Sequence, residues 1–207
     1  MRRRVSTIHG LILVDKPSGP TSHDVVARAR RALHEKRIGH VGTLDPMATG
    51  LLGLLVGAAT RLSEYLVEKD KRYTATVRFG RSTNTYDAEG ETVAESGRIP
   101  EREALEAAVE RFRGPQLQRP PAFSAIKRDG QRAYALARQG EEVVLEPRPV
   151  TMYEIDLIDW APPDAVLDVR CSAGTYIRSL AHDLGQVLET GAHLAALRRT
   201  AVGPWLV

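Results

Sequence analysis

The chain has 207 residues, of which 43% are hydrophobic and 27% charged, with a formal net charge of +3. That balance suits a soluble globular protein with a substantial core, and no apolar run is long enough for a membrane-spanning helix. A single cysteine, Cys171, excludes an intramolecular disulfide and a cysteine-based zinc cluster, so a reducing cytoplasmic setting is expected.

The N-terminal segment MRRRVSTIHGLILVDKPSG is a poor signal peptide, because His9 and Gly10 interrupt the apolar patch and Asp15 and Lys16 follow it at once. Residues 11–14, LILV, read instead as a buried strand ending at the turn DKPSGPTS. A helix should follow through about Glu35, with Thr21 or Ser22 as N-cap, Asp24 in the first turn and Val25, Val26, Ala29 and Leu33 as its apolar stripe.

The next stretch, GHVGTLDPMATGLLGLL from Gly39 to Leu55, sets a lone carboxylate, Asp45, between glycines and ahead of an apolar run. Pro46 biases Asp45 toward extended backbone, so the aspartate is expected on a loop, and LLGLLV reads as a strand or short buried helix anchoring it. On the residues alone two readings stay open: a presented functional carboxylate, or an ordinary Asp-Pro turn.

Ala58 to Leu66 reads as a short helix with Leu62, Tyr65 and Leu66 inward. From Lys71 to Phe79 the pattern alternates, placing Tyr73, Ala75, Val77 and Phe79 on one strand face. Gly80 to Gly90 reads as a polar loop. A helix is predicted from about Glu101 to Arg113, entered through Pro100 and closed by Gly114. The proline-rich region Pro115 to Pro121 is the best candidate for a boundary between lobes. Beyond it, Asp129-Gly130 offers hairpin-turn chemistry and Ala133 to Gln139 a short helix. Val143 to Leu145, Val150 to Trp160 and Ala165 to Ser172 read as strands, with Cys171 a packed small hydrophobe. From Gly174 a helix begins, with Ile177, Leu180, Ala181, Leu184 and Leu188 inward and Arg178 at the edge of the buried face.

Helices and strands interleave without a regular βαβ rhythm, and neither a GxGxxG fingerprint nor a P-loop is present. The expected class is therefore α+β, with a mixed, largely antiparallel sheet. Basic residues cluster at Arg2 to Arg4, at Arg28, Arg30, Arg31, Lys36 and Arg37, at Arg111, Arg113 and Arg119, and at Arg198 and Arg199. Together they could form a phosphate-contacting face; singly, each reads as a solvated charge.

Four blocks, DKPSGPTS, GHVGTLDPMATGLL, the pair KRYTATVRFG and STNTYDAEG, and CSAGTYIRSLAHDLG followed by LRRTAVG, resemble the TruB family of tRNA pseudouridine synthases. The segment PPAFSAIKRDGQRAYALARQG is also similar, so the resemblance runs from about Gly10 to Gly203. It implies the pseudouridine synthase catalytic fold, with helices flanking the central sheet and an active-site cleft, in one domain over residues 1–207. It implies an isomerase that converts uridine 55 of the tRNA T-loop to pseudouridine on a flipped-out base. No cofactor and no metal are expected. The expected partner is the tRNA T-arm, with no membrane, and a monomer is expected.

The resemblance places the family's catalytic aspartate on Asp45. Tyr73 matches a tyrosine that stacks on the flipped uracil, and Arg178 the arginine that pairs with the aspartate. His40 matches a histidine contacting the RNA, and Leu197 an apolar residue lining the uracil pocket. Lys16, Arg198 and Arg199 are weaker candidates for phosphate contacts, and Asp87 for ordering its loop. Core packing accounts for Tyr73 and Leu197, a structural imidazole for His40, and a surface salt bridge for Arg178, if the resemblance is set aside. The chain departs from the family pattern at Phe123, where tyrosine is often found, and at Met47, usually leucine. It also stops at Val207, where bacterial members usually continue into a small RNA-binding domain, so no separate C-terminal domain is expected. A tRNA-folding module retaining the pocket and a carboxylate nucleoside hydrolase are the competing readings.

Overall fold

The computed structural model describes residues 7–124, 126–128, 131–133, 136 and 143–207. The Asp129-Gly130 turn, most of the Ala133 to Gln139 helix and the arginines at 2–4 lie outside the described residues. Helices combine with a mixed, mostly antiparallel sheet, as the class expectation required. Two compact units are present, residues 1–74 with 197–207, and residues 75–196. Pro115 to Pro121 therefore lies inside the second unit and divides nothing. The chain instead changes unit within two strands, where no linker composition could mark the place.

In the first unit, β1 (Gly10–Lys16) is antiparallel to β3 (Thr49–Val56), with Gly10 opposite Val56 and Lys16 opposite Gly50. Because β1 runs along one edge of β3, two other segments share the opposite edge. They are β2 (Ile38–Val41), antiparallel to residues 53–56, and Arg198–Arg199 of β12 (Ala192–Val202), parallel to Thr49–Gly50. Successive residues of β3 point to opposite faces and all from Gly50 to Val56 are buried, so both faces are covered, which is why LLGLLV is a continuous apolar run. Gly50 is required here: its φ is +96° and an added Cβ would sit 2.2 Å from the Arg199 carbonyl oxygen.

Helix α1 (Ser22–Ala32) starts with a reciprocal capping box between Thr21 and Asp24 and buries Val25 and Val26 against Leu44, Leu52 and Leu54. It stops short of Glu35. The stretch from 57 to 67 is a 3-10 turn (Gly57–Leu62) followed by the short α2 (Ser63–Val67), so one helical period does not run through it. Leu62 and Tyr65, expected inward, are accordingly 50% and 64% exposed. A short strand, β13 (Trp205–Leu206), pairs with the end of β12.

Strand β4 (Lys71–Phe79) has the bounds and alternation expected, with Tyr73, Ala75, Val77 and Phe79 all buried. In the second unit, the segment expected as a polar loop contains β5 (Arg81–Thr83), paired with β6 (Thr92–Glu95), and buries Ser82, Thr83 and Asp87. Composition misled because these polar groups are satisfied internally. Helix α3 (Arg102–Arg111) turns Leu105, Ala108 and Val109 inward and leads to β7 (Gly114–Gln118). A small ladder joins β8 (Lys127–Arg128) to β9 (Gln131–Arg132). The long β10 (Arg148–Ala161) is antiparallel to both β7 and β11 (Asp164–Cys171). Val143 and Leu145 are buried against Ala133 but join no ladder, so the strand expected there is absent. Helix α4 (Ile177–Val187) follows β11 and buries Ile177, Leu180, Ala181 and Leu184. Among the described residues no helix is long and apolar enough to cross a membrane.

Candidate active site

Asp45 lies on the loop between β2 and β3, half-buried and outside any regular element. The backbone on each side of it is anchored. Ser22, in the first turn of α1, donates its hydroxyl to the Leu44 carbonyl at 3.0 Å and accepts from the Leu44 N–H at 2.9 Å. On the other side, the Pro46 carbonyl accepts from Gly19 N–H at 2.9 Å and from Lys16 Nζ at 3.1 Å. The Ala48 N–H closes a turn onto the Asp45 carbonyl at 3.1 Å. Arg199, fully buried beneath the loop, donates to the carbonyls of Leu51, Gly42 and Thr43 at 2.8, 3.0 and 3.5 Å. Backbone tied this way limits the reorganisation available to the carboxylate it carries.

These bonds reassign two of the weaker candidates. Lys16 has no exposed surface, and its ammonium donates to the carbonyls of Pro17, Pro20 and Pro46 at 3.0, 2.7 and 3.1 Å. It holds the Asp45 loop from inside and offers nothing to a phosphate in this conformation; a buried ammonium needs such partners. Arg199 is likewise internal. Arg198 is half-buried and forms a two-pronged pair with Asp15 at 3.0 and 2.8 Å. Arg28, Arg31 and Lys36 are exposed on the same unit, whereas Arg30 donates to the Ile38 carbonyl.

His40, on β2, is half-buried and edge-on to the exposed His23, with ring centroids 5.1 Å apart. Burial lowers its pKa, with the positive charges of His23 and Arg199 adding to the effect, so the neutral imidazole prevails near pH 7. Its Nδ1 is buried and finds no hydrogen-bond partner among the described residues. Leu197 is half-buried and packs on the cluster containing Val25, Val26 and Leu44. Tyr73 is 8% exposed on the inward face of β4.

Arg178 belongs to the second unit, in the first turn of α4. It is not at the edge of the buried face, nor in a surface salt bridge, since only 7% of its side chain is exposed. Its guanidinium donates to Asp87 Oδ2 at 3.2 Å and to the carbonyls of Thr85 and Phe123, each at 3.0 Å. Phe123 thus contributes through its backbone, so the missing tyrosine hydroxyl does not touch this contact. Asp87 orders its loop as expected, accepting from Thr85 Oγ1 at 2.6 Å and from the Glu89 N–H at 3.1 Å. Ser22, read from the sequence only as a possible N-cap, and the Phe123 carbonyl act here through distant partners that no local pattern marks. Among the described residues no group of three or more His, Cys, Asp or Glu side chains is arranged to hold a metal ion.

Comparison with known proteins bears on the same residues. Residues 30–177 match the TruB family pseudouridylate synthase (N terminal domain), and residues 178–205 match the tRNA pseudouridylate synthase B C-terminal domain. The chain belongs to the TruB family. Asp45, Tyr73 and His40 fall in the first of these TruB matches, and Arg178 and Leu197 in the second. Proteins named tRNA pseudouridine synthase B are 48% identical over 207 residues in Pseudomonas paraeruginosa and 53% identical over 195 residues in Opitutus terrae. These alignments cover 100% and 94% of this chain and 68% and 81% of the relatives. A chain of a Cbf5-Nop10-Gar1 complex aligns with TM-score 0.73 at 35% identity. One from an H/ACA RNP bound to a substrate RNA containing 2'-deoxyuridine aligns with TM-score 0.72 at 30%. Each structural match covers 95% of this chain, which spans only 50% and 48% of those two neighbours.

Proposed function

We propose that this TruB-family chain is a tRNA pseudouridine synthase that isomerises uridine 55 of the T-loop. The observation that carries the reading is Asp45, held by anchored backbone on both sides within the block GTLDP. The reaction is an isomerisation: the bond from ribose C1′ to N1 breaks, the uracil turns, C1′ bonds to C5, and the C5 proton is replaced by one gained at N1. No electron acceptor enters that balance. One carboxylate suffices, acting as nucleophile or as the base for elimination to a glycal.

In this reading the base is flipped out of the T-loop, with unstacking costing roughly a few kcal/mol. Tyr73 stacks on the uracil, Leu197 lines its pocket and His40, neutral near pH 7, contacts the RNA. Arg178 takes the part of the family's aspartate-pairing arginine, the cation that keeps such a carboxylate ionised and oriented. The tRNA relatives and the RNA-bound structural neighbour support the substrate class. A monomer acting on the T-arm stem-loop completes the proposal.

The test is incubation with an unmodified T-arm stem-loop and with whole tRNA, mapping pseudouridine by carbodiimide-adduct primer extension. Product at position 55 is expected, and Asp45→Asn should remove turnover by more than about a thousandfold while RNA binding stays within a few-fold. A folded parent protein that makes no product, or a fully active Asp45→Asn variant, refutes the reading. Free uracil as product would point to a hydrolase instead.

A further inference from the structure

Helix α4 carries a second contact with the loop that bears Asp87. Arg178 and His182 are four residues apart and so share one helical face, while Asp87 and Tyr86 are neighbours on the loop. As Arg178 grips Asp87, the His182 ring stacks on the Tyr86 ring, centroids 3.8 Å apart and planes 11° from parallel. Tyr86 reaches that position with φ of +65°, a left-handed conformation that a bulky residue holds only where its surroundings enforce it. Those surroundings are visible. The Tyr86 carbonyl accepts from Leu194 N–H at 2.9 Å, and the Leu194 carbonyl accepts from Ala88 N–H at 3.0 Å.

His182 Nδ1 is buried and makes no hydrogen bond among the described residues, so the stack, not a polar contact through that nitrogen, accounts for the ring's placement. Burial lowers the His182 pKa and raises those of Tyr86 and Asp183, so the stacked pair is uncharged near pH 7. Asp183 on α4 and Arg119 beyond β7 are the charged groups that act on Tyr86.

We propose that Tyr86 and His182 are positioning residues: their stack is a second clamp that holds the Asp87 loop on α4 and thereby fixes the direction of the Arg178 guanidinium. This rests on the proposed isomerase reading for its consequence in turnover. The geometry of the clamp itself does not.

The experiment compares His182→Ala, His182→Phe, Tyr86→Ala and Tyr86→Phe by steady-state kinetics on T-arm RNA and by hydrogen exchange of the Ala88 amide. The alanine variants should lower kcat about tenfold with KM within twofold, and expose the Ala88 amide to faster exchange. The phenylalanine variants keep a planar ring and should restore both measurements. Alanine variants with unchanged kcat and exchange overturn the clamp, and so does a His182→Phe variant as slow as His182→Ala. If an alanine variant fails to fold, the two phenylalanine variants decide alone: loss of kcat in either overturns the proposal, and retention in both upholds it. If the parent makes no pseudouridine, the isomerase reading has failed, and the exchange comparison still decides whether the clamp exists.

Discussion

Two loops, one in each unit, are held by opposite means. Around Asp45 the described cations bind main chain: Lys16 takes the carbonyls of Pro17, Pro20 and Pro46, and Arg199 those of Leu51, Gly42 and Thr43. Around Asp87 the carboxylate is itself a fastener, shared among Arg178, Thr85 and the Glu89 amide. The first arrangement fixes its loop through main-chain carbonyls; the second fixes its loop through the aspartate side chain. The described cations thus reach different acceptors, backbone carbonyls in one loop and a carboxylate in the other.

The sharpest way to break this contrast is Arg178→Ala, which strands the buried Asp87 carboxylate. Chemical denaturation should show a loss of about 3–5 kcal/mol, and Arg178→Ala with Asp87→Ala should be less unstable than the sum of the two. Additive losses would mean that the pair does not couple.

Lys16→Met tests the first loop. Three carbonyls lose a charged donor, so a loss of about 2–3 kcal/mol and lower turnover are expected. The slope of RNA affinity against salt should remain that of the parent, because Lys16 touches no phosphate in the proposed complex. A slope reduced by about one would return Lys16 to the RNA-binding surface.

Ser22→Ala removes both bonds to Leu44 and should lower stability by about 1–3 kcal/mol, read by thermal unfolding. Turnover should fall while the capping box between Thr21 and Asp24 persists. Unchanged activity would show that the Leu44 anchor does not position Asp45.

The smallest effect concerns Asp183, whose pKa burial pushes up to about 6. Its folded form holds a proton more tightly than the unfolded chain, so this site favours folding at low pH and its contribution is lost as pH rises from about 4 through 6. Asp183→Asn should therefore stabilise the protein at pH 7.5 by about 1 kcal/mol, allowing for partial exposure, with the gain vanishing below pH 4. Thermal melts across that range check the sign.

Local pattern was enough where one element's own chemistry decided its structure. Thr21 and Asp24 cap α1 as their spacing indicates, and KRYTATVRF is a strand because alternation matches the pleat. It misled at Leu62 and Tyr65, where a 3-10 turn breaks the helical period, and at Ser82, Thr83 and Asp87, where polar residues are buried because partners await them. The motif around Asp45 and the likeness to the TruB family were legible from block order alone.

By itself, then, the sequence determined the family, the class of fold and the place of the Asp45 loop, because these follow from residue identity and short-range period. Only the tertiary structure decided that Lys16 and Arg199 are internal struts, that Arg178 grips Asp87, and that Tyr86 stacks on His182. Those outcomes depend on whether a charge or a ring finds its partner in a distant segment once water is excluded, and no local spacing encodes that meeting.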